Sequence, residues 1–244
     1  MSNKKVFYFH IPKTAGTTVA SLLDEHFNNT LHHIEGQPIT PEFLNKYDVV
    51  SGHVTYTHIE KILDLSQWVT IATFREPYSH IASHINWVRK LADKGEEQRF
   101  SKHPKDFQDL ALYMKTLNLS YADDIKELIK YFSQTDFHYF YNTQTLYMDK
   151  DKRLDIAIKN LGHINIIGLT ETMGAFKNHL HSFFEWRRSF KSPKKLNKNT
   201  SNYGLNIADT ETREALYPLI DKDLFLYDEA VKKSFKEEWL KYKG

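Results

Sequence analysis

The sequence predicts an α/β fold, in which buried strands alternate with helices along the chain. Three short runs rich in β-branched and aromatic residues lie at 6–9, 47–54 and 68–74, and such runs are typical of buried strands. After each run come turn residues and then apolar residues at helical spacing. Because open α/β sheets bind ligands at the carboxyl ends of their strands, the residues that follow these runs are the first candidates for a functional site.

Composition narrows the class of protein. The 244 residues are enough for one domain with a sizeable core, and 41% hydrophobic and 14% aromatic residues are typical of a folded chain. A net charge of +2 gives no electrostatic reason to expect nucleic acid as a partner. The chain contains no cysteine, which excludes disulfides and fits a reducing compartment. Because no apolar run is long enough to cross a bilayer, we expect a soluble, cytoplasmic protein without a transmembrane segment.

The turn after the first strand suits an anion such as phosphate or sulfate. Thr17 and Thr18 open the first helix, where unpaired backbone N–H groups and the helix dipole attract negative charge. Gly16 permits a close approach of the backbone, Lys13 adds a positive charge, and Thr14 adds a hydroxyl donor. The stretch is not a Walker A loop, because Lys13 precedes Gly16 instead of following a second glycine.

A histidine and an arginine follow the next two strands. His53 ends the second strand and is expected beside the first loop, where an imidazole with a pKa near neutral could accept a proton. Arg75 follows the third strand, and Pro77 fits the first turn of the next helix, which places Ser83 about two turns into that helix. Taken singly, His53 could cap a turn, Arg75 could pair with an acid, and Ser83 could be an exposed helix hydroxyl.

The rest of the chain is predicted to be mostly helical. His80 and His84 share one helix, but no Glu lies between them in the His-Glu-x-x-His pattern and no third ligand is evident. We expect no metal site there, nor at His179 and His181. The further predicted elements are helices at 41–46, 56–63, 104–116, 123–132 and 147–160, a strand at 164–169, a helix at 171–186 capped by Thr170, and two amphipathic helices between 209 and 243.

Three segments together resemble a known enzyme family. The order Pro-Lys-Thr-Ala-Gly-Thr-Thr at 12–18 resembles the 5′-phosphosulfate loop of sulfotransferases that use 3′-phosphoadenosine 5′-phosphosulfate (PAPS). The Gly-His-Val segment that contains His53 resembles the segment that carries the catalytic base of heparan sulfate 2-O-sulfotransferases. Arg75 and Ser83, eight positions apart, resemble the 3′-phosphate motif of the family, with Glu76 where Asp is usual. The branch with heparan sulfate 2-O- and 6-O-sulfotransferases is the most similar.

The resemblance implies a fold, a reaction and a set of site residues. The fold would be three-layer and P-loop-like, with a central parallel sheet, in one domain over 1–244 with a helical acceptor-side insertion at about 86–142. The sulfuryl group of PAPS would pass to a hydroxyl of an acceptor, preferably a carbohydrate, leaving adenosine 3′,5′-bisphosphate, with His53 as base, Lys13 stabilising the departing phosphate and no metal. The nucleotide-binding residues would be Lys13, Thr14, Ala15, Gly16, Thr17, Thr18, Arg75, Ser83 and, after a basic segment, Lys198, Asn199 and Thr200.

Two other functions share part of this chemistry. A P-loop nucleotide kinase would use the same scaffold, but it would need Mg²⁺-dependent ATP binding and the glycine–lysine order that this chain lacks. A non-catalytic nucleotide-binding module would bind the nucleotide tightly without any turnover, and it would not depend on His53. The metal requirement and the effect of changing His53 distinguish these alternatives from a sulfotransferase.

Overall fold

The computed structural model describes residues 4–186 and 203–241. This part of the chain divides into two compact units. The first unit contains residues 4–76, 143–186 and 222–241, and the second contains residues 77–142 and 203–221. The insertion expected at about 86–142 falls within the second unit, which begins at Pro77.

The first unit is built on a five-stranded parallel sheet, which confirms the predicted fold class. The strand order β2-β3-β1-β4-β5 places β1 between β3 and β4. In the register, Phe9 at the end of β1 pairs with Gly52 and Ala72, so these three strands end close to the same edge. The strands are β1 (Lys5–Phe9), β2 (Thr30–Leu31), β3 (Val49–Gly52), β4 (Trp68–Phe74) and β5 (Ile166–Leu169).

Helices account for most of the remaining described residues. The α-helices are α1 (Gly16–Asp24), α2 (Pro41–Leu44), α3 (Tyr56–Ile59), α4 (Pro77–Leu91), α5 (Glu97–Phe100), α6 (Lys105–Thr116), α7 (Ala122–Gln134), α8 (Thr143–Met148), α9 (Leu154–His163), α10 (Met173–Phe183), α11 (Thr210–Leu216) and α12 (Asp221–Lys241). Short 3₁₀ helices cover Leu65–Gln67, His138–Phe140, Thr170–Thr172 and Tyr217–Leu219. No helix within the described ranges combines the length and the apolar character needed to span a membrane.

Side chains alternate across the sheet and create a core on each face. Val6 and Tyr8 of β1 share a buried cluster with residues of α1 and α10. Phe7 and Phe9 alternate with them and face the other side of the sheet. There they share a second buried cluster with residues of α3, α8, α9 and α12. Each fully buried apolar side chain of this size stabilises the fold by about 1.5–3 kcal/mol. The first unit therefore has three layers, with the parallel sheet between two layers of helices.

The second unit is helical and aromatic. Helices α6 and α7 confirm the helices predicted at 104–116 and 123–132. Phe132 and Phe140 stack at 4.3 Å between ring centroids in its interior. His80 and His84 are buried on α4, and the ring of His84 packs 4.7 Å from Phe140. These two histidines therefore contribute to the packing of this unit.

The helix predicted at 147–160 is wrong, because the chain forms two helices there. Helix α8 ends at Met148 and α9 begins at Leu154. Between them the buried Asp149 accepts hydrogen bonds from the backbone N–H, Nε and Nη2 of Arg153 at 2.8–2.9 Å, and Lys152 has a left-handed φ of 54°. A buried carboxylate that binds the backbone of the next turn competes with a continuous helix.

Three smaller differences also follow from local structure. The helix predicted at 56–63 has α-helical backbone only over Tyr56–Ile59. Thr170 begins a 3₁₀ turn, and its hydroxyl donates to the Glu171 carboxylate at 2.8 Å, so it does not cap α10. Strand β2 is not among the elements that the sequence predicts, because its two residues are too few to show a strand pattern.

Candidate functional site

The loop after β1 brings the predicted phosphate-binding residues to the carboxyl edge of the sheet. The loop folds back on the strand end, since the Ile11 N–H donates to the Phe9 carbonyl at 3.1 Å and the Thr14 hydroxyl donates to the Ile11 carbonyl at 2.8 Å. Lys13 and Ala15 both have left-handed backbones, with φ of 66° and 67°. Helix α1 begins immediately after Ala15, so its first N–H groups belong to the same loop.

Two left-handed residues other than glycine make this loop a strained one. Each such residue costs on the order of 1–2 kcal/mol, and strain of this kind concentrates at ligand-binding loops. Left-handed residues in a short loop direct successive N–H groups to one side and form concavities that bind anions. The start of α1 adds the positive end of a helix dipole. The backbone here is suited to a phosphate or sulfate group.

Thr14 fixes this loop to the sheet. The residue is buried, and its hydroxyl lies 3.0 Å from the Thr73 hydroxyl of β4, which lies 2.7 Å from the Tyr8 hydroxyl of β1. Burial raises the pKa of Tyr8, so its hydroxyl remains protonated in this network. Because the Thr14 hydroxyl is engaged inside the protein, the group it can offer to an anion is its backbone N–H.

His53 is held in one tautomer directly after β3. Its Nδ1 lies 2.7 Å from the His10 carbonyl oxygen, and because a carbonyl only accepts, Nδ1 carries the proton. Nε2 then has the lone pair that can accept a proton or bind a cation. Burial lowers the pKa of His53, while the hydrogen bond to His10 and the charge of Glu35 act in the opposite direction. The imidazole is therefore neutral at neutral pH.

Two further imidazoles lie beside His53 and form what we call the histidine cluster: His10, His33 and His53. The centroids of the His10 and His53 rings are 4.2 Å apart, and the His33 ring lies 5.8 Å from each of them. One nitrogen of each ring lies within 4.8 Å of the others. Burial and then the neighbouring histidines lower the pKa of His10 to about 3, so this ring is neutral near pH 7. Three nitrogen-bearing rings thus meet at the edge where the loop after β1 begins.

Gly16 provides the space that His10 occupies. A Cβ placed on Gly16 would lie 1.6 Å from His10 Nε2 and 2.0 Å from His10 Cδ2, far inside any real contact. The imidazole therefore packs directly on the first residue of α1. Because the His10 carbonyl also accepts the hydrogen bond from His53 Nδ1–H, His10 belongs to both the loop and the histidine cluster.

Arg75 is held by its backbone at the end of β4. The side-chain amide of Gln144 accepts from the Arg75 N–H and donates to the Arg75 carbonyl, both at 2.9 Å. The Arg75 guanidinium donates from Nη1 to the Lys13 carbonyl at 3.3 Å. Burial lowers the pKa of Arg75, and the charges of Glu171 and Glu76 oppose this shift. Arg75 thus places a half-buried positive charge against the loop that contains Lys13.

Gln144 is positioned in turn by a buried carboxylate. Asp223 of α12 accepts from the Gln144 N–H at 3.1 Å and from the Thr145 N–H and hydroxyl, each at 2.7 Å. Gln144, Thr145 and Asp223 are all buried. On the other side of Arg75, the Glu171 carboxylate accepts from the Glu76 N–H at 3.0 Å and from the Tyr227 hydroxyl at 2.9 Å. The residues that follow β4 are therefore fixed by polar contacts from both directions, which are buried at Gln144 and exposed at Glu171.

Most of the residues predicted for the site lie at one edge of the sheet. The loop residues 13–18, His53 and Arg75 lie at the ends of the adjacent strands β1, β3 and β4. Ser83 lies on α4, in the second unit. Lys198, Asn199 and Thr200 lie outside the described residues.

Sequence reasoning missed several residues of this site. The main ones are His10, His33, Glu35 and Gln144. Tyr147 was also missed, and the centroid of its ring lies 6.3 Å from that of His53. The available signal was that His10 and His53 directly follow β-strand residues, as His32 does after β2. No pattern in the sequence pairs Gln144 with Arg75, because they are 69 positions apart. In comparisons with known proteins, no family model matches the chain and no curated protein matches it.

Proposed function

We propose that this protein is a sulfotransferase that moves the sulfuryl group of PAPS to a hydroxyl of a carbohydrate acceptor. The observation that carries the proposal is the state of His53, which is neutral and holds its proton on Nδ1 against the His10 carbonyl. An imidazole with a fixed tautomer, next to a strained anion-binding loop, is equipped to accept a proton beside a bound phosphosulfate.

The chain offers suitable groups for the nucleotide. The backbone of residues 13–18 and the start of α1 would hold the 5′-phosphosulfate, and Lys13 adds a compact positive charge. Arg75 is the candidate for the 3′-phosphate, because its guanidinium is half-buried and its backbone is fixed by Gln144. Guanidinium groups bind phosphate oxygens with paired N–H donors. Ser83, Lys198, Asn199 and Thr200 remain candidates for the same nucleotide on the resemblance alone.

Each residue has a distinct task in this reaction. When bound, PAPS supplies the sulfuryl group and departs as adenosine 3′,5′-bisphosphate. His53 Nε2 accepts the proton of the acceptor hydroxyl, while the His10 carbonyl keeps Nδ1–H in place and stabilises the imidazolium that forms. Lys13 and the loop N–H groups stabilise the negative charge that grows on the leaving phosphate. Positioning and electrostatics supply most of the catalysis, as in phosphoryl transfer.

Calorimetric titration with adenosine 3′,5′-bisphosphate tests the nucleotide site. We expect saturable binding without Mg²⁺ that ATP displaces poorly. Arg75→Ala should weaken binding roughly 10–100-fold, since a hydrogen bond to a charged group contributes about 1.5–3 kcal/mol. Arg99→Ala is the matched control, because Arg99 is exposed and paired with Glu96 on the second unit. Binding that requires Mg²⁺ and prefers ATP would support a kinase and reject this proposal.

Turnover tests the role of His53. With radiolabelled PAPS and a panel of sugars and polysaccharides, His53→Ala should lower the rate of transfer by roughly 10²–10⁴-fold, the usual contribution of a general base. The bisphosphate should bind this variant as tightly as it binds the unmodified protein. Equal transfer rates in the two proteins would remove His53 from the mechanism. Tight nucleotide binding with no transfer to any acceptor would favour a non-catalytic module.

A further inference from the structure

The histidine cluster has the layout of a three-ligand metal site. His10 follows β1, His53 follows β3, and His33 lies two residues after β2. These three strands are neighbours in the order β2-β3-β1, so hydrogen bonds of the sheet hold the strand ends side by side. The sequence shows no such site, because the three histidines are far apart in the chain and follow no known metal-binding spacing.

The distances between the rings fit a small metal ion after minor adjustment. Zn–N bonds of about 2.0–2.1 Å in a tetrahedral site place two ligand nitrogens roughly 3.4 Å apart. In the cluster, one nitrogen from each ring lies within 4.8 Å of the other two. His33 is the ring with room to move, since its side chain is 67% exposed. Its imidazole can therefore adjust its position more freely than the two rings that are more buried.

Groups around the cluster match the outer contacts of metal-binding histidines. A histidine that binds a metal through one nitrogen usually donates its other N–H to a carbonyl or carboxylate. His53 does this through Nδ1, which lies 2.7 Å from the His10 carbonyl. Glu35 Oε2 lies 3.9 Å from His33 Nδ1, and the other oxygen of this carboxylate accepts the backbone N–H of His53. One carboxylate therefore lies next to two of the three histidines and offsets part of a cation's charge.

Packing does not explain the choice of residue at position 33. His33 is mostly exposed, and it has a left-handed φ of 60° that glycine or asparagine would adopt with less strain. Its ring nevertheless lies 5.8 Å from both His10 and His53. An exposed imidazole held in a strained backbone beside two other imidazoles is accounted for by a shared ligand.

We propose that His10, His33 and His53 together bind one divalent transition-metal ion, with Zn²⁺ as the best fit. Neutral imidazoles are good ligands for Zn²⁺, which imposes little geometric preference of its own. Mg²⁺ and Ca²⁺ are excluded as preferred occupants because they select oxygen ligands. Three protein ligands leave a fourth position for a water molecule or an oxygen atom of another ligand.

Direct titration of Zn²⁺ into the chelator-treated, full-length protein tests this site without reference to any enzymatic activity. We expect one saturable Zn²⁺ ion per chain. Replacing outer contacts of metal ligands typically weakens binding 10–100-fold, so loss of a ligand in His33→Asn should weaken it at least about 100-fold. Asparagine suits the left-handed backbone at this exposed position, so the variant should fold normally. Circular dichroism and thermal unfolding without metal verify that it does.

His58→Asn is the matched control. His58 is an exposed histidine on α3 and lies outside the cluster, so this variant should bind Zn²⁺ like the unmodified protein. Co²⁺ in place of Zn²⁺ gives a second readout, because a four-coordinate nitrogen site produces strong visible absorption that His33→Asn should abolish. The proposal is wrong if His33→Asn binds Zn²⁺ as tightly as the unmodified protein, if His58→Asn loses the ion, or if the unmodified protein shows no saturable binding.

Discussion

At the scale of single residues, Gly16 connects the loop after β1 to the histidine cluster. The His10 ring occupies the space that a side chain at this position would need, with His10 Nε2 only 1.6 Å from the place of a Cβ. In Gly16→Ala the imidazole must leave, and its contact with His53 is then lost. Overpacking of this kind costs about 1–3 kcal/mol. We expect denaturant unfolding to show this loss of stability, together with weaker binding of adenosine 3′,5′-bisphosphate.

Gly174→Ala is the control for this substitution. Gly174 lies on α10, and a Cβ there meets nothing within 4 Å. Because alanine favours helix by roughly 0.5–1 kcal/mol over glycine, this variant should be as stable as the unmodified protein or more so. If Gly16→Ala keeps full stability and full nucleotide binding, the ring of His10 does not constrain the loop in solution.

The residue scale also shows what the sequence can reveal about a site and what it cannot. The placement of Lys13, His53 and Arg75 at one edge of the sheet could be predicted, because each follows a strand with a strong apolar pattern. His33 and Gln144 could not, since β2 has only two residues and Gln144 acts by pairing its amide with the backbone of Arg75. Contacts between residues distant in sequence leave no local pattern. For the same reason, the sequence did not show that the Thr14 hydroxyl forms hydrogen bonds inside the protein.

At the scale of elements, Asp223 links the long helix α12 to α8 and so to Arg75. Burial raises the pKa of Asp223 to about 6, against an ordinary value of 3.8, although three hydrogen bonds from Gln144 and Thr145 favour the charged form. A raised pKa in the folded state means that the protonated carboxyl is favoured by folding. The stability that this group contributes is therefore complete below about pH 4 and is lost as the pH rises through about 6.

Asp223→Asn should remove this pH dependence. A shift of about two pKa units corresponds to about 3 kcal/mol, so the unfolding free energy of the unmodified protein should fall by up to that amount, relative to the variant, between pH 4 and pH 7. The amide oxygen of asparagine can still accept hydrogen bonds from α8. Urea unfolding of both proteins at several pH values gives the difference directly. Parallel stability curves for the two proteins would show that Asp223 titrates normally in the folded state.

Element boundaries show where periodicity fails as a guide. The apolar pattern predicted α6, α7 and β4 well, because these elements expose one face or are wholly buried. It predicted one helix over 147–160, from the end of α8 into α9, because the signal that separates them is polar: Asp149 is buried and binds Arg153 across the turn. A charged residue in a sequence is ordinarily taken as exposed. Its pairing partner becomes apparent only in the folded chain.

At the scale of the whole molecule, the order of the strands decides which functional side chains lie next to each other. The sequence predicts an α/β fold, and the structure has the parallel sheet and the two covering layers. The strand order places β1 between β3 and β4, so one loop lies between the histidines on one side and Arg75 on the other. Within the first unit, the groups proposed to bind the nucleotide and those proposed to bind the metal therefore share the loop after β1 but extend in opposite directions along the sheet.

This arrangement predicts that Zn²⁺ inhibits sulfuryl transfer but does not affect nucleotide binding. The metal would occupy His53, whose lone pair the transfer reaction needs, while Arg75 and the N–H groups of the loop lie outside the cluster. Saturating Zn²⁺ should therefore abolish transfer reversibly and leave the affinity for adenosine 3′,5′-bisphosphate unchanged. Transfer by the His33→Asn variant, compared with the rate of the same variant without metal, should resist Zn²⁺, which excludes inhibition at other surface sites. Competition between Zn²⁺ and the bisphosphate in calorimetry would show instead that the metal and the nucleotide use the same groups.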